Sequence, residues 1–211
     1  MKQLILASQS PRRKALLAQL GYQFITQAAD INEAVRCNEN AKDYVVRLAK
    51  EKAQAIFLAL PIQQQAQSIV IGSDTSVVIE GEILGKPANE AECIATLLRL
   101  SNKQHQVLTA IAVVTQDKKS QDQRNQDQRN KTLSKLIETQ VQLKTLTVDE
   151  IKRYWHTKEP YDKAGSYAIQ GLGGQFVTTI NGSYSAVVGL PLYETVQLLA
   201  QVGLPSNLSN A

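Results

Sequence analysis

An α/β fold is what this sequence predicts, on three observations. Short apolar runs of strand type alternate with amphipathic helical stretches along most of the chain. The helical stretches begin at recognisable capping residues. A hydrophobic share of 43% over 211 residues is enough to bury one core, in at most two lobes, without disulfides or metal as staples.

The first strand runs from Leu4 to Ala7 and feeds directly into a helix, with Ser10 as its N-cap and Pro11 as its first residue. The apolar positions Ala15, Leu16, Leu17 and Leu20 give that helix one buried face. Residues 23 to 26 form a short strand, and a long helix follows from about Ala41 to Leu60, stopped by Pro61. Its apolar stripe is Val45, Leu48, Ala55, Ile56 and Ala59, and Lys52 falls on the same stripe, four residues after Leu48. Residues 68 to 84 (SIVIGSDTSVVIEGEIL) read as a buried strand and a second β segment joined by a Glu-Gly turn at 80 to 81. Residues 88 to 100 make an amphipathic helix capped by Asn89, with Ala91, Ile94, Leu97 and Leu98 on one face.

Two further strands, at 105 to 115 and 132 to 146, pair antiparallel. Between them lies a polar insertion, 116 to 131, holding the tandem pentapeptide QDQRNQDQRN at 121 to 130. A segment with no apolar residue adds nothing to a core, so the expectation here is a flexible loop tip. The last third reads as a helix at 148 to 156, a glycine-rich passage from Gly165 to Gly174, strands near 175 to 188 and a helix after Pro191. Residues 1 to 204 thus make a single domain, and the tail from Pro205 is expected to be loose.

Composition excludes several classes of function. Cys37 and Cys93 lie far apart, and neither His105 nor His156 has a second ligand at metal-binding spacing, which argues against zinc and suits a reducing compartment. The apolar start, Leu4 to Ala7, is too short for a signal segment, and no later run approaches membrane length, so the expectation is a cytoplasmic protein with no membrane partner. The net charge of +4 comes without a Lys/Arg block or an aromatic-interleaved basic stripe, so no specific nucleic acid is expected. Basic groups gathered around a phosphate cleft explain the same excess.

The run ASQSPRR at residues 7 to 13 places such a cleft. A helix N-terminus offers free N–H groups and partial positive charge, and Ser8, Ser10, Arg12 and Arg13 add two hydroxyls and two guanidinium groups to the same turn. That combination suits a polyphosphate. Asp74 lies inside the most hydrophobic strand, where a carboxylate is costly unless paired, bound to metal or at the floor of a cleft, which makes it the leading candidate for a catalytic base or a metal ligand. Glu33, in ADINEA, can supply a second oxygen ligand, and Lys86 follows a glycine that lets the backbone approach a ligand. With Lys52 these groups form a Mg²⁺-assisted phosphate-ester site.

The segments LILASQSPRRKALLAQLG, DINEA, VVRLAKEKA, IGSDTSVVIEGEILGKP and YDKAGSYAIQGLGGQFVTTINGSYSAVVGLPLYET carry a specific likeness. In that order, over nearly the whole chain apart from the insertion and the tail, the sequence resembles the Maf family of nucleoside triphosphate pyrophosphatases. Small departures are Gln9 and Ser73, where small residues or alanine are more usual.

The resemblance implies an inosine-triphosphatase-like fold, with a curved mixed sheet flanked by helices and a deep cleft between two lobes, assembled as a homodimer. It implies hydrolysis of a nucleoside triphosphate to the monophosphate and pyrophosphate with a divalent cation, Mg²⁺ or Mn²⁺. Carried onto the matching motifs, Asp74 is the proton acceptor, Ser8, Ser10, Arg13, Lys52 and Lys86 serve phosphate binding and catalysis, and Glu33 joins Asp74 at the metal. Arg12, Thr75 and Gln170 stand at the positions that separate family branches and follow the dTTP/UTP branch; the branch resembling 7-methyl-GTP pyrophosphatases has tryptophan, glutamine and glutamate there. Two other readings share these motifs, the same chemistry on another base and a non-catalytic nucleotide-binding regulator of septum formation. The joint presence of Asp74, Glu33 and Lys86 favours the enzyme.

Overall fold

The computed structural model describes residues 2–116, 130–206 and 208. Seven strands form one mixed sheet: β1 (Gln3–Leu6), β2 (Phe24–Thr26), β3 (Ser68–Ile79), β4 (Glu82–Leu84), β5 (Gln104–Gln116), β6 (Asn130–Leu143) and β7 (Val177–Asn181). Their order across the sheet is β2-β1-β3-β5-β6-β7, with β4 added to β3. The helices are α1 (Pro11–Gln19), α2 (Ala41–Ala59), α3 (Ile62–Gln65), α4 (Glu90–Leu100), α5 (Val148–His156), α6 (Tyr184–Val188) and α7 (Leu192–Gln201). The expected α/β class with a mixed sheet flanked by helices is therefore what the chain adopts. Among the described residues no helix is long and apolar enough to cross a membrane.

The pairing of β3 creates the site. Its first four residues pair in parallel with β1, and Val77 to Ile79 pair antiparallel with β4 on the same side. Residues 72 to 76 between those stretches have a strand neighbour only on the other side, where β5 runs alongside without a break. A twelve-residue strand buried almost throughout thus has an opening in the middle of one edge, and Asp74 stands in it.

Side chains alternate across a strand, so the two faces of β3 deliver different groups to that opening. Gly72 and Asp74 face α2, whose buried face is Val45, Leu48, Ala49, Lys52, Ala53, Ile56 and Phe57. Ala55 and Ala59 were expected on that face, but Ala55 is half-buried and Ala59 exposed; a helix of 3.6 residues per turn brings Ala49 and Ala53 onto the sheet instead. Those alanines meet Gly72 so closely that a Cβ on it would sit 2.2 Å from the Ala49 carbonyl oxygen and 2.7 Å from the Ala53 nitrogen.

Because both obstacles are backbone atoms, Gly72→Ala must push α2 off the sheet. The expected cost is about 3 kcal/mol, at the upper end of ordinary overpacking. For a chain of this size that corresponds to a fall in Tm of about 6–12 °C. An unchanged thermal melt would show that the contact between α2 and β3 yields easily.

Three apolar clusters surround the sheet. One lies between α2 and the sheet, and a second packs α1 and α7 against the opposite face through Leu16, Leu17, Leu198 and Leu199. The third, around Leu97, Leu100, Ile151, Tyr154 and Phe176, fills the far end with α4 and α5.

Several boundaries differ from expectation, among them the strand expected to reach residue 146, which ends at Leu143. The strands near 175 to 188 reduce to β7, because Gly182 (φ 134°) breaks the extended run and the Ser183 hydroxyl accepts the N–H of Ala186 to start α6. The β5–β6 ladder extends to the pair Gln116 and Asn130, so Gln116, Asn130 and Lys131 are strand residues and not loop. The rest of the polar insertion, including 121 to 129 of the repeat, lies outside the described residues. In the tail, Ser206 is still buried, and residues 207 and 209 to 211 lie outside the described residues.

Candidate active site

A cavity of about 800 Å³ opens at the gap in β3, lined by the α1 N-terminus, the loop after β2, β3 itself, the segment after β4 and the turns from Asp162 to Gln170. It collects the residues singled out from sequence: Ser8, Ser10, Arg12, Arg13, Glu33, Lys52, Asp74, Thr75, Lys86 and Gln170 all line it. Neither histidine does. His105 is buried with its Nε2 2.8 Å from the Tyr167 hydroxyl, and burial pushes its pKa down to about 4; His156 is exposed.

The floor is an ion cluster. Lys52 Nζ donates to Asp74 Oδ1 at 2.8 Å and lies 2.7 Å from Glu33 Oε1. Asp74 is only 7% exposed, and burial raises its pKa above the ordinary value, against the pull of Lys52 and Arg13. Glu33 is on a segment without regular structure and comes to Lys52 because α2 holds that segment down. The Tyr44 hydroxyl donates to the Glu33 carbonyl at 2.9 Å, and Arg47 donates to the Ala34 carbonyl at 3.0 Å and to both oxygens of Glu39.

Glu33 and Asp74 are hard oxygen donors of the kind Mg²⁺ or Mn²⁺ takes, and the point on which the two carboxylates converge is held by the Lys52 ammonium. Among the described residues no group of three or more histidine, cysteine or acidic side chains gathers around a point.

The opposite wall is the start of α1. The Ser10 hydroxyl caps the helix by accepting the Arg13 N–H at 3.4 Å, and the Ser8 hydroxyl accepts the Ser10 N–H at 3.2 Å. Arg13 folds back across the turn: its Nε donates to the Gly189 carbonyl at 2.9 Å, and its terminal nitrogens reach the Ser8 and Thr75 hydroxyls at 3.4 Å each. Burial lowers its pKa while Asp74 raises it. A guanidinium nevertheless stays charged in a protein, so it offers a fixed cation to the cleft. Ser73 supports this wall, since its buried hydroxyl lies 2.9 Å from the Ala110 carbonyl and 3.0 Å from that of Gly189. That hydroxyl makes a tie between β5 and the segment that receives Arg13.

At the mouth stand Arg12, Lys86 and Gln170. Arg12 Nη1 is 3.8 Å from Asp162 Oδ2, and Asp162 also contacts Lys163, a third cleft lysine that sequence reading passed over. Lys86 is exposed, and its segment is tied across the cleft where the Gly165 N–H donates to the Gly85 carbonyl at 3.0 Å. Gln170 is exposed at the tip of the glycine-rich loop, and no described residue hydrogen-bonds its carboxamide. Sequence reading also missed Tyr44, Arg47, Tyr154 and Glu159. Each works by holding a loop distant in sequence, for which local pattern carries no signal.

The family model described as Maf-like protein matches residues 3–202. A protein of Colwellia psychrerythraea (strain 34H) named dTTP/UTP pyrophosphatase is 59% identical, over 98% of this chain and 92% of its own length. Relatives of the same name from Vibrio vulnificus (strain YJ016) and Pseudoalteromonas atlantica (strain T6c) are 52% and 49% identical, over 94% and 95% of this chain and 98% and 97% of theirs. With the family model covering the sheet, the cleft and the glycine-rich loop alike, this chain belongs to the Maf family.

Proposed function

We propose that this protein hydrolyses dTTP and UTP to the monophosphate and pyrophosphate. The observation that carries the reading is the buried Asp74 carboxylate, held by Lys52 at the open edge of β3 and facing the capped, arginine-bearing start of α1. The names borne by relatives about half identical over nearly their whole length support the choice of substrate.

Ser8, Ser10, Arg13 and the free N–H groups of α1 bind the phosphate chain. Asp74 takes the proton of a water aligned with the α-phosphorus, and Lys52 keeps that carboxylate ionised and oriented. Lys86, with Lys163 nearby, neutralises charge that grows on the departing pyrophosphate, the largest share of the work in a reaction of this type. Glu33 and Asp74 would hold Mg²⁺ or Mn²⁺, which when bound supplies further charge neutralisation at the phosphate oxygens.

Gln170 serves the base. A carboxamide presents one acceptor and one donor, the complement of N3–H and an adjacent carbonyl in uracil or thymine. Arg12 stands at the same mouth, and Thr75 lies on β3 beside Asp74, its hydroxyl bonded to Arg13 and Thr109. Steady-state pyrophosphate release from dTTP, UTP, CTP and 7-methyl-GTP, with Mg²⁺ and with Mn²⁺, tests the assignment; preference for 7-methyl-GTP would overturn it.

The pH dependence follows from Asp74. It must be ionised to accept a proton, so kcat should fall on the acid side as its carboxyl is protonated; burial raises that pKa, and a cation held there with Glu33 would lower it. Lys52 favours the ionised form, so Lys52→Met should move that acid limb to higher pH in addition to lowering the plateau. A kcat profile whose acid limb stays in place in the variant would remove Asp74 from the role of base.

A further inference from the structure

We propose that Tyr154 and Glu159 form a brace that sets the position of the base-reading loop, which makes them positioning residues for base selectivity. The inference rests on the reading that Gln170 contacts the base.

Gln170 lies between two anchored shoulders of the glycine-rich loop. On one side the Ala168 N–H donates to the Tyr154 hydroxyl at 3.1 Å, and that hydroxyl donates to Glu159 Oε1 at 2.7 Å. On the other side the N–H groups of Leu172 and Gly173 donate to Oε2 and Oε1 of Glu159, both at 2.9 Å. Three loop N–H groups therefore lead to one carboxylate, while Gln170 itself is left free to face the cleft.

Shape agrees with the bonding. A Cβ on Gly171 would sit 2.2 Å from Glu159 Oε2, and one on Gly173 would sit 2.6 Å from the Tyr154 hydroxyl. The two glycines let the loop backbone lie directly on the brace. Tyr154 is rigid in turn, buried to 3% exposure and packed edge-on against Phe176 with ring centroids 5.0 Å apart. Glu159 follows Lys158, whose left-handed backbone (φ 64°) turns the chain back after α5. Burial works against ionisation of Glu159, but the N–H of Gly173, the Tyr154 hydroxyl and the N–H of Leu172 outweigh it and hold the carboxyl below its ordinary value. An acceptor-only group is what three converging donors require.

Neither residue lines the cleft, so a change in either reaches the substrate only through the loop. The test is Glu159→Gln, which keeps the shape but turns one acceptor into a donor facing an N–H. The expected result is a loss in kcat/KM for UTP of about tenfold, with ribose 5-triphosphate, which lacks a base, changed by less than about twofold. Faster hydrogen exchange at the amides of Leu172 and Gly173 should accompany it. The loss should also vanish in a Gln170→Ala background, because a loop without its reader has nothing left to misplace. Equal losses for both substrates, no loss for either, or full additivity with Gln170→Ala would each overturn the inference. If Gln170→Ala itself leaves the ratio of UTP to ribose 5-triphosphate unchanged, base reading by Gln170 fails first and the brace loses its role with it. Should Glu159→Gln not fold, Tyr154→Phe removes a single hydroxyl from the same chain of bonds and is read in the same way.

Discussion

Asp74→Asn is expected to lower kcat by about 10²- to 10⁴-fold while the protein stays folded, the loss typical of removing a general base. The amide has nearly the shape of the carboxylate but cannot take the proton of the attacking water. The fold should tolerate the change for an electrostatic reason. Breaking a buried ion pair is severe when it strands a charge, but Lys52 retains Glu33 at 2.7 Å, and the substitution also relieves the burial that raises the Asp74 pKa. Lys52→Met is the harsher change for the fold, since it leaves Glu33 and Asp74 facing each other with no ammonium between them. Pyrophosphate release and thermal melting, measured on the same preparation, decide the matter: near-normal turnover in a folded Asp74→Asn protein would mean that the proton goes elsewhere.

What could be read from the sequence was local chemistry. Ser10 and Pro11 announce the start of α1 because capping is settled within four residues, and the Ser10 hydroxyl does accept the Arg13 N–H. Lys52 stands out because helical periodicity puts it on a buried face, and Asp74 because a charge interrupts an apolar run; the structure joins these two in one ion pair. The order and type of most elements follow from the same signals, down to the Asn89 cap of α4 and the limits of α5.

What was not legible depends on partners far away in the chain. The opening at residues 72 to 76 exists because β1 stops at Leu6 and β4 starts pairing at Val77, and no property of β3 alone specifies either event. Arg47 and Tyr44 reach back to the segment carrying Glu33, and Tyr154 and Glu159 reach forward to the loop carrying Gln170. Each looks like an ordinary helix or turn residue until the loops are in place. The run VTTINGSYSAVV misleads for another reason: its β-branched residues favour a strand, but Gly182 takes a backbone angle that strands do not use and Ser183 caps a helix. In α2, alanines fit either face, so only packing on Gly72 determines which of them are buried.

Gln170→Glu should separate the substrates. Both pyrimidine carbonyls are acceptors, and a carboxylate has no proton to offer them, so one hydrogen bond is replaced by a repulsive contact in a partly enclosed cleft. The expected fall in kcat/KM for dTTP and UTP is about ten- to a hundredfold, the effect of a single mispaired polar contact. Guanine presents two adjacent donors that a carboxylate can accept, so 7-methyl-GTP should lose less than UTP or gain, although Arg12 at the mouth and Thr75 on β3 are unchanged. Stability should not change, because Gln170 is exposed, no described residue bonds its carboxamide, and the brace of Tyr154 and Glu159 is untouched. The ratio of kcat/KM for UTP to that for 7-methyl-GTP is the quantity to compare between wild type and variant. A ratio that does not move would place the base out of reach of Gln170, and selectivity would then have to come from the walls of the cleft that Arg12 and Thr75 define.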